Sequence, residues 1–150
     1  MLGLNYKRPF SFKNALTGLN LETTSVGYSI SQHIELIIFT HFGEHRFNKD
    51  YGCAIWEYDF ELITSHWKWE EKFKTSLLEA LIAAEPRITQ VDVTIELGET
   101  EANTFETDTH HIKKKLDVSV DALVVGTGET FHFYTELFLG PLASKDAKRI

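Results

Sequence analysis

Residues 77–97 read Leu-Leu-Glu-Ala-Leu-Ile-Ala-Ala-Glu-Pro-Arg-Ile-Thr-Gln-Val-Asp-Val-Thr-Ile-Glu-Leu, and the apolar period in this stretch changes at Pro86. Before it, Phe73, Leu77, Ala80, Leu81 and Ala84 recur every three or four positions, the spacing of an amphipathic helix. After it, Val91, Val93, Ile95 and Leu97 alternate with Asp92, Thr94 and Glu96, the spacing of a strand with one wet face. Pro86 supplies no N–H and disfavours helical geometry at Glu85, so the helix must stop there. A carboxylate beside the negative end of a helix dipole is disfavoured by roughly 0.3–1 kcal/mol, so Glu85 calls for a cationic partner. Arg87 is the nearest candidate.

Upstream, the second helix begins near Ser65, with Trp67, Trp69 and Phe73 in its first turns as core, rim or interface residues. A first helix carries Ile30, Ile34, Ile37 and Ile38 as one stripe up to about Thr40; Ser29 and Gln32 have capping-box spacing, and Ser25 offers a start one turn earlier. Gly43 to Gly52 is a turn-rich excursion whose glycines both suit positive φ. Downstream, the polar stretch 98–111 reads as a long connection. A second strand follows at Leu116 to Val124, a turn at Gly126 to Glu129, and a third strand at Thr130 to Leu139 with apolar residues on both faces.

The expected fold is α+β: two main helices packed on a small, mainly antiparallel C-terminal sheet. It comprises an extended N-terminal arm over 1–24, an α+β domain over 25–142 and a basic tail over 143–150 with Lys145, Lys148 and Arg149. Packing back on the domain is the favoured use of the arm's apolar residues, docking on a neighbour the alternative. At 150 residues, 43% hydrophobic and 25% charged, the chain can bury a core without disulfides or metals. The formal charge of -7 argues against a nucleic-acid-binding face. One cysteine, Cys53, forms no internal disulfide and fits a reducing cytoplasm. No export signal and no run of membrane-span length is read, so membrane insertion is not expected.

Motifs that carry chemistry are mostly missing from the sequence. His41-Phe42-Gly43-Glu44-His45 matches an inverted zinc-peptidase pattern, but Gly43 interrupts the helix such ligands must share, so no metal is expected. His110-His111 reads as part of a polar loop, and His33 and His132 have no partner nameable from sequence. Glu44 and Glu85 are the best pair for a glycosidase, yet nothing in the sequence sets their separation or builds a cleft. No nucleophile elbow, phosphate loop or cofactor motif is present.

The order of elements and the motifs together resemble the baseplate-wedge or sheath-initiator family of contractile phage tails and their type VI secretion counterpart, TssE. The residues carrying the resemblance are Ile30 to Phe39, Gly43-Glu44, Tyr51-Gly52, Glu85-Pro86-Arg87 and the strands to Leu139, roughly residues 25–142. His45 stands where the family usually has Arg, with Arg46 next to it, and Lys49 where it often has Pro. The resemblance implies a non-enzymatic structural adaptor at a cytoplasmic baseplate, with partner-binding residues Glu85, Pro86, Arg87, Gly43, Glu44, Arg46, Tyr51 and Gly52. The implied partners are wedge proteins of TssF and TssG type, docked at the Glu-Pro-Arg corner, and sheath subunits, whose strands the C-terminal sheet accepts near Thr130 to Leu139, templating sheath assembly. On that view the isolated fold tolerates Arg87→Ala. The other readings are a lysozyme-like glycoside hydrolase, a phage tail baseplate wedge protein and an unrelated cytoplasmic α+β binding module.

Overall fold

The computed structural model describes residues 5–57, 65–102 and 111–139. Strand β1 (Asn5–Tyr6) pairs antiparallel with β2 (Thr23–Thr24), and a short helix α1 (Phe12–Leu16) lies between them. The arm thus folds back in its described part. Its hairpin reaches the domain through polar contacts, the Gln32 Nε2 amide donating to the Arg8 carbonyl at 3.3 Å, while Phe12 and Leu16 stay exposed.

Helix α2 (Val26–Phe39) starts one turn before the Ser29–Gln32 pair. Its N-cap is Ser25, whose Oγ accepts from the Tyr28 N–H at 3.2 Å. Ser29 already lies inside the helix, so its hydroxyl is available for another task. The isoleucine stripe is buried throughout, as its period requires. Helix α3 (His66–Ala84) follows Ser65 and buries Trp69, Phe73, Leu77 and Leu81 against it. Each such side chain removed from water contributes roughly 1.5–3 kcal/mol.

Strands β3 (Ile88–Ala102), β4 (His111–Val124) and β5 (Thr130–Leu139) form an antiparallel sheet in the order β3-β4-β5. The inward residues Val93, Ile95, Leu116, Val118, Val120, Phe131 and Leu137 close the core under the helices. A register shift lies between Thr89 and Asp92, where Gln90 has a φ of 52°. The first two strands are longer than hydrophobic alternation predicts: pairing continues from Gly98↔Lys115 to Ala102↔His111. Strand pairing of mostly charged and polar residues leaves little apolar signal, which is why 98–102 and His111 read as connection and the second strand reads as starting only at Leu116. The rest of that connection, 103–110, lies outside the described residues, as do the basic tail and residues 58–64.

Between the two long helices, the chain returns to the end of α2. The Cys53 N–H donates to the Thr40 carbonyl at 3.3 Å, and Trp56 Nε1–H donates to the Ile38 carbonyl at 2.8 Å. A 3-10 turn at Ala54–Glu57 then leads towards α3. This return holds the Gly43–Gly52 excursion beside the helix that faces the Glu85 corner.

Candidate functional site

At the end of α3 the Glu85 N–H still donates to the Leu81 carbonyl at 2.9 Å, and Pro86 turns the chain into β3. The Glu85 side chain points inward and is fully buried. Burial alone pushes its pKa up, but the Arg87 side chain, then His33 and the Arg87 N–H, override it and hold the carboxyl down at about 2. Arg87 Nε donates to Glu85 Oε1 at 2.7 Å and Nη2 to Oε2, a bidentate fork between residues two apart. Arg87 Nη1 donates to Ser29 Oγ at 2.9 Å and to Asn5 Oδ1 at 3.2 Å. His33 Nδ1 lies 2.8 Å from Glu85 Oε2, so the proton of that bond sits on Nδ1, the carboxylate being an acceptor alone.

The Gly43–Gly52 turn is closed by its own bonds. Gly43 N–H donates to the Lys49 carbonyl at 2.8 Å, Lys49 Nζ to the Gly43 carbonyl at 2.8 Å, and His41 N–H to Glu44 Oε2 at 3.0 Å. Gly43 and Gly52 have φ of 81° and 122°, and a Cβ on Gly52 would lie 2.4 Å from the Thr40 carbonyl oxygen. Side-chain bulk is excluded there twice, by backbone conformation and by space. Tyr51 stacks on His33 with ring centroids 6.0 Å apart and an interplanar angle of 22°. His33 therefore joins the turn to the corner.

The predicted residues thus separate by exposure. Glu85 and Gly52 are buried, Tyr51 and Arg87 are partly so, and Gly43, Glu44, Arg46 and Pro86 are exposed. Arg87 spends its fork within the chain, so a partner meets the Glu85 charge only through its neighbours. Arg46 sits over the Phe47 ring at 5.5 Å, in the turn's outer part. Sequence reasoning missed Ser29, His33 and Asn5. Ser29 and His33 lie four apart, hence on one face of α2; two polar residues at that spacing beside an isoleucine stripe are the signal that was available. Asn5, distant along the chain, left none.

A groove of about 440 Å³ opens over the corner, between Pro86, Arg87 and His33 on one wall and Tyr6, Arg8 and Phe10 of the arm on the other. Lys7 and Arg8 of the arm and Arg87 of the corner bring three cationic side chains to its lining. A glycosidase acid must be held protonated near neutrality, and Glu85 is driven the opposite way. His41 and His45 lie beyond the end of α2: His41 stacks on Trp56 at 4.9 Å, and His45 Nδ1 accepts from the Asn48 N–H at 3.1 Å. The described residues hold no group of three or more His, Cys, Asp or Glu placed for a metal ion.

No curated protein matches this chain. Among solved structures, one described as a candidate tail lysozyme from Geobacter sulfurreducens shares the fold with a TM-score of 0.56 and 24% identity, over 83% of this chain and all of that one. A chain of the baseplate complex from the type VI secretion system shares it with a TM-score of 0.52 and 21% identity, over 75% of this chain and 93% of that one. The sequence family described as baseplate wedge protein gp25 matches residues 24–129, a span from the cap of α2 to the β4–β5 turn that takes in the turn, the corner and the two longest strands. The chain belongs to the baseplate wedge protein gp25 family.

Proposed function

We propose that this protein is a structural baseplate component of a contractile injection machine of the type VI secretion class. It links wedge proteins of TssF and TssG type to the sheath, in the cytoplasm, with no chemistry of its own. The observation that carries this reading, beside the family, is the convergence of the Glu85–Arg87 corner and the Gly43–Gly52 turn on His33. One rigid unit, neutralised internally, holds Pro86, Glu44 and Arg46 outward for a partner. A buried charge pair suits such a unit because it fixes geometry more than it adds affinity. No helix among the described residues is long and apolar enough to cross a membrane. The same surfaces would serve the baseplate of a phage tail.

Capture of the two large wedge proteins by the purified chain tests the proposal, with Arg46→Glu and Pro86→Glu alongside. Both positions are exposed, so the variants are expected to keep the wild-type circular dichroism while losing capture. Folded variants that capture as well as wild type would remove the corner and turn from the interface. The sheath side of the link rests on the C-terminal sheet, which would take a sheath strand at an edge.

A further inference from the structure

A three-stranded sheet in the order β3-β4-β5 has two edges, and among the described residues only one is dressed. Along β3 runs α3. Its Glu70 Oε1 accepts the Leu97 N–H at 2.8 Å, and its Lys74 Nζ lies 3.8 Å from Asp92 Oδ1, one helical turn on. The register shift between Thr89 and Asp92 disrupts the same edge further. A side-chain carboxylate in the place of an incoming carbonyl, a packed helix and a bulge are all devices that stop strand addition.

The Leu97 bond also fixes which groups β5 presents. An N–H that leaves β3 outward makes Leu97↔Leu116 a non-hydrogen-bonded pair, so Leu116 turns its backbone groups to β5. Its partner there is Leu137. Two bonds at the far end keep the same alternation: Val125 N–H donates to the Arg87 carbonyl, and Val124 N–H to that of Glu129. His132, Tyr134 and Glu136 therefore direct their N–H and C=O groups away from β4. No bond to these groups is made by the described residues.

We infer that the outer edge of β5 is the acceptor edge of the sheet, Glu70 keeps the β3 edge closed, and the incoming strand belongs to a partner with Lys or Arg alternating with apolar residues. This rests on the strand-addition reading above and adds to it the edge and the chemistry of the strand. The charge follows from the outer face. Asp92 lies opposite Asp121 and Glu96 opposite Asp117, two like-charge pairs across β3 and β4, and Glu136 extends the acidic face to β5. Lys115 answers Asp117 and Glu136 at 3.0 and 3.1 Å, and His132 Nδ1 shares a hydrogen bond with Asp121 Oδ1 at 2.7 Å. A cationic ladder beside β5 meets this face favourably, whereas a second copy of β5 would set two acidic faces side by side. The apolar alternates would lie over Phe133, which is half-buried at the rim of the core.

Site-resolved amide exchange on the full chain tests this, with two synthetic peptides of about ten residues, one alternating Val with Lys and one alternating Val with Glu. The Lys peptide is expected to slow the Tyr134 and Glu136 amides while leaving β3 unchanged, and the Glu peptide to do neither. Tyr134→Pro removes an outward N–H and no β4–β5 bond, so it should bind the Lys peptide about tenfold more weakly than Tyr134→Ala, the order of one hydrogen bond. Equal protection by both peptides overturns the charge assignment. Tyr134 and Glu136 amides already slow in the free chain overturn the open edge, by placing a second copy or residues 140–150 on it. Protection along β3 moves the edge and leaves strand addition standing. Should neither peptide protect any strand while sheath subunits of the same system still bind, both the edge and strand addition fall.

Discussion

Glu85 is a carboxylate that burial alone would neutralise and that Arg87 and His33 keep charged. The value of Arg87 to the isolated fold follows from that competition. Truncating it leaves a fully buried carboxylate with His33 as its remaining side-chain partner, and breaking a buried pair costs about 3–5 kcal/mol. Arg87 is itself one-third exposed, and solvent screening puts the expected loss for Arg87→Ala at the low end, about 3 kcal/mol. A corner acting only outward would tolerate the change. The pair also predicts an acid response. Because the folded-state pKa of Glu85 is depressed from 4.5 to about 2, its stabilisation is complete above about 4.5 and is lost as the pH falls towards 2. Urea unfolding of wild type and Arg87→Ala should therefore show a gap at neutral pH that narrows through that window. A gap that stays constant to pH 2 would separate the stability of the fold from the charge on Glu85.

The helices, the sheet and the corner were legible at the scale of elements because each has an apolar period or a proline that physics reads one way. The N-terminus of α2 was legible only as two options, since Ser25 and Ser29 are one turn apart and both can cap. Tertiary structure decided it: Ser29 Oγ accepts from Arg87, 58 residues away. The turn was legible through its glycines, which differ in a way the sequence hides. Gly43 has open space where a Cβ would stand, so Gly43→Ala should cost the left-handed conformation alone, about 1–2 kcal/mol. Gly52→Ala meets the same backbone penalty and a carbonyl oxygen at 2.4 Å, so it should cost about 2–4 kcal/mol. Because Thr40 ends α2 and Tyr51 stacks on His33, that second loss should also disturb the corner. Equal costs for the two substitutions, read from urea midpoints at unchanged slope, would remove the link from Gly52 to Thr40.

For the molecule as a whole, the question is what the first 24 residues do for the rest. Their described part contributes no fully buried apolar side chain, and α1 leaves Phe12 and Leu16 in solvent. What they add is polar and local to the corner: Asn5 on Arg87, the Arg8 carbonyl on Gln32, and one wall of the groove. Cores set whether a chain folds, and the buried cluster of the described residues runs from Ile30 to Leu137. A chain beginning at Ser25 should therefore remain cooperative, with an unfolding slope in urea close to that of the full chain. It should lose about 1–2 kcal/mol, the net worth of one or two partly buried hydrogen bonds. The same deletion opens the groove and uncovers Arg87, so it should weaken capture of the wedge proteins if Tyr6, Arg8 and Phe10 line the contact, and leave it unchanged or stronger if the arm only covers the corner. Retained stability with lost capture would assign the arm to the interface, and lost cooperativity would make it part of the fold.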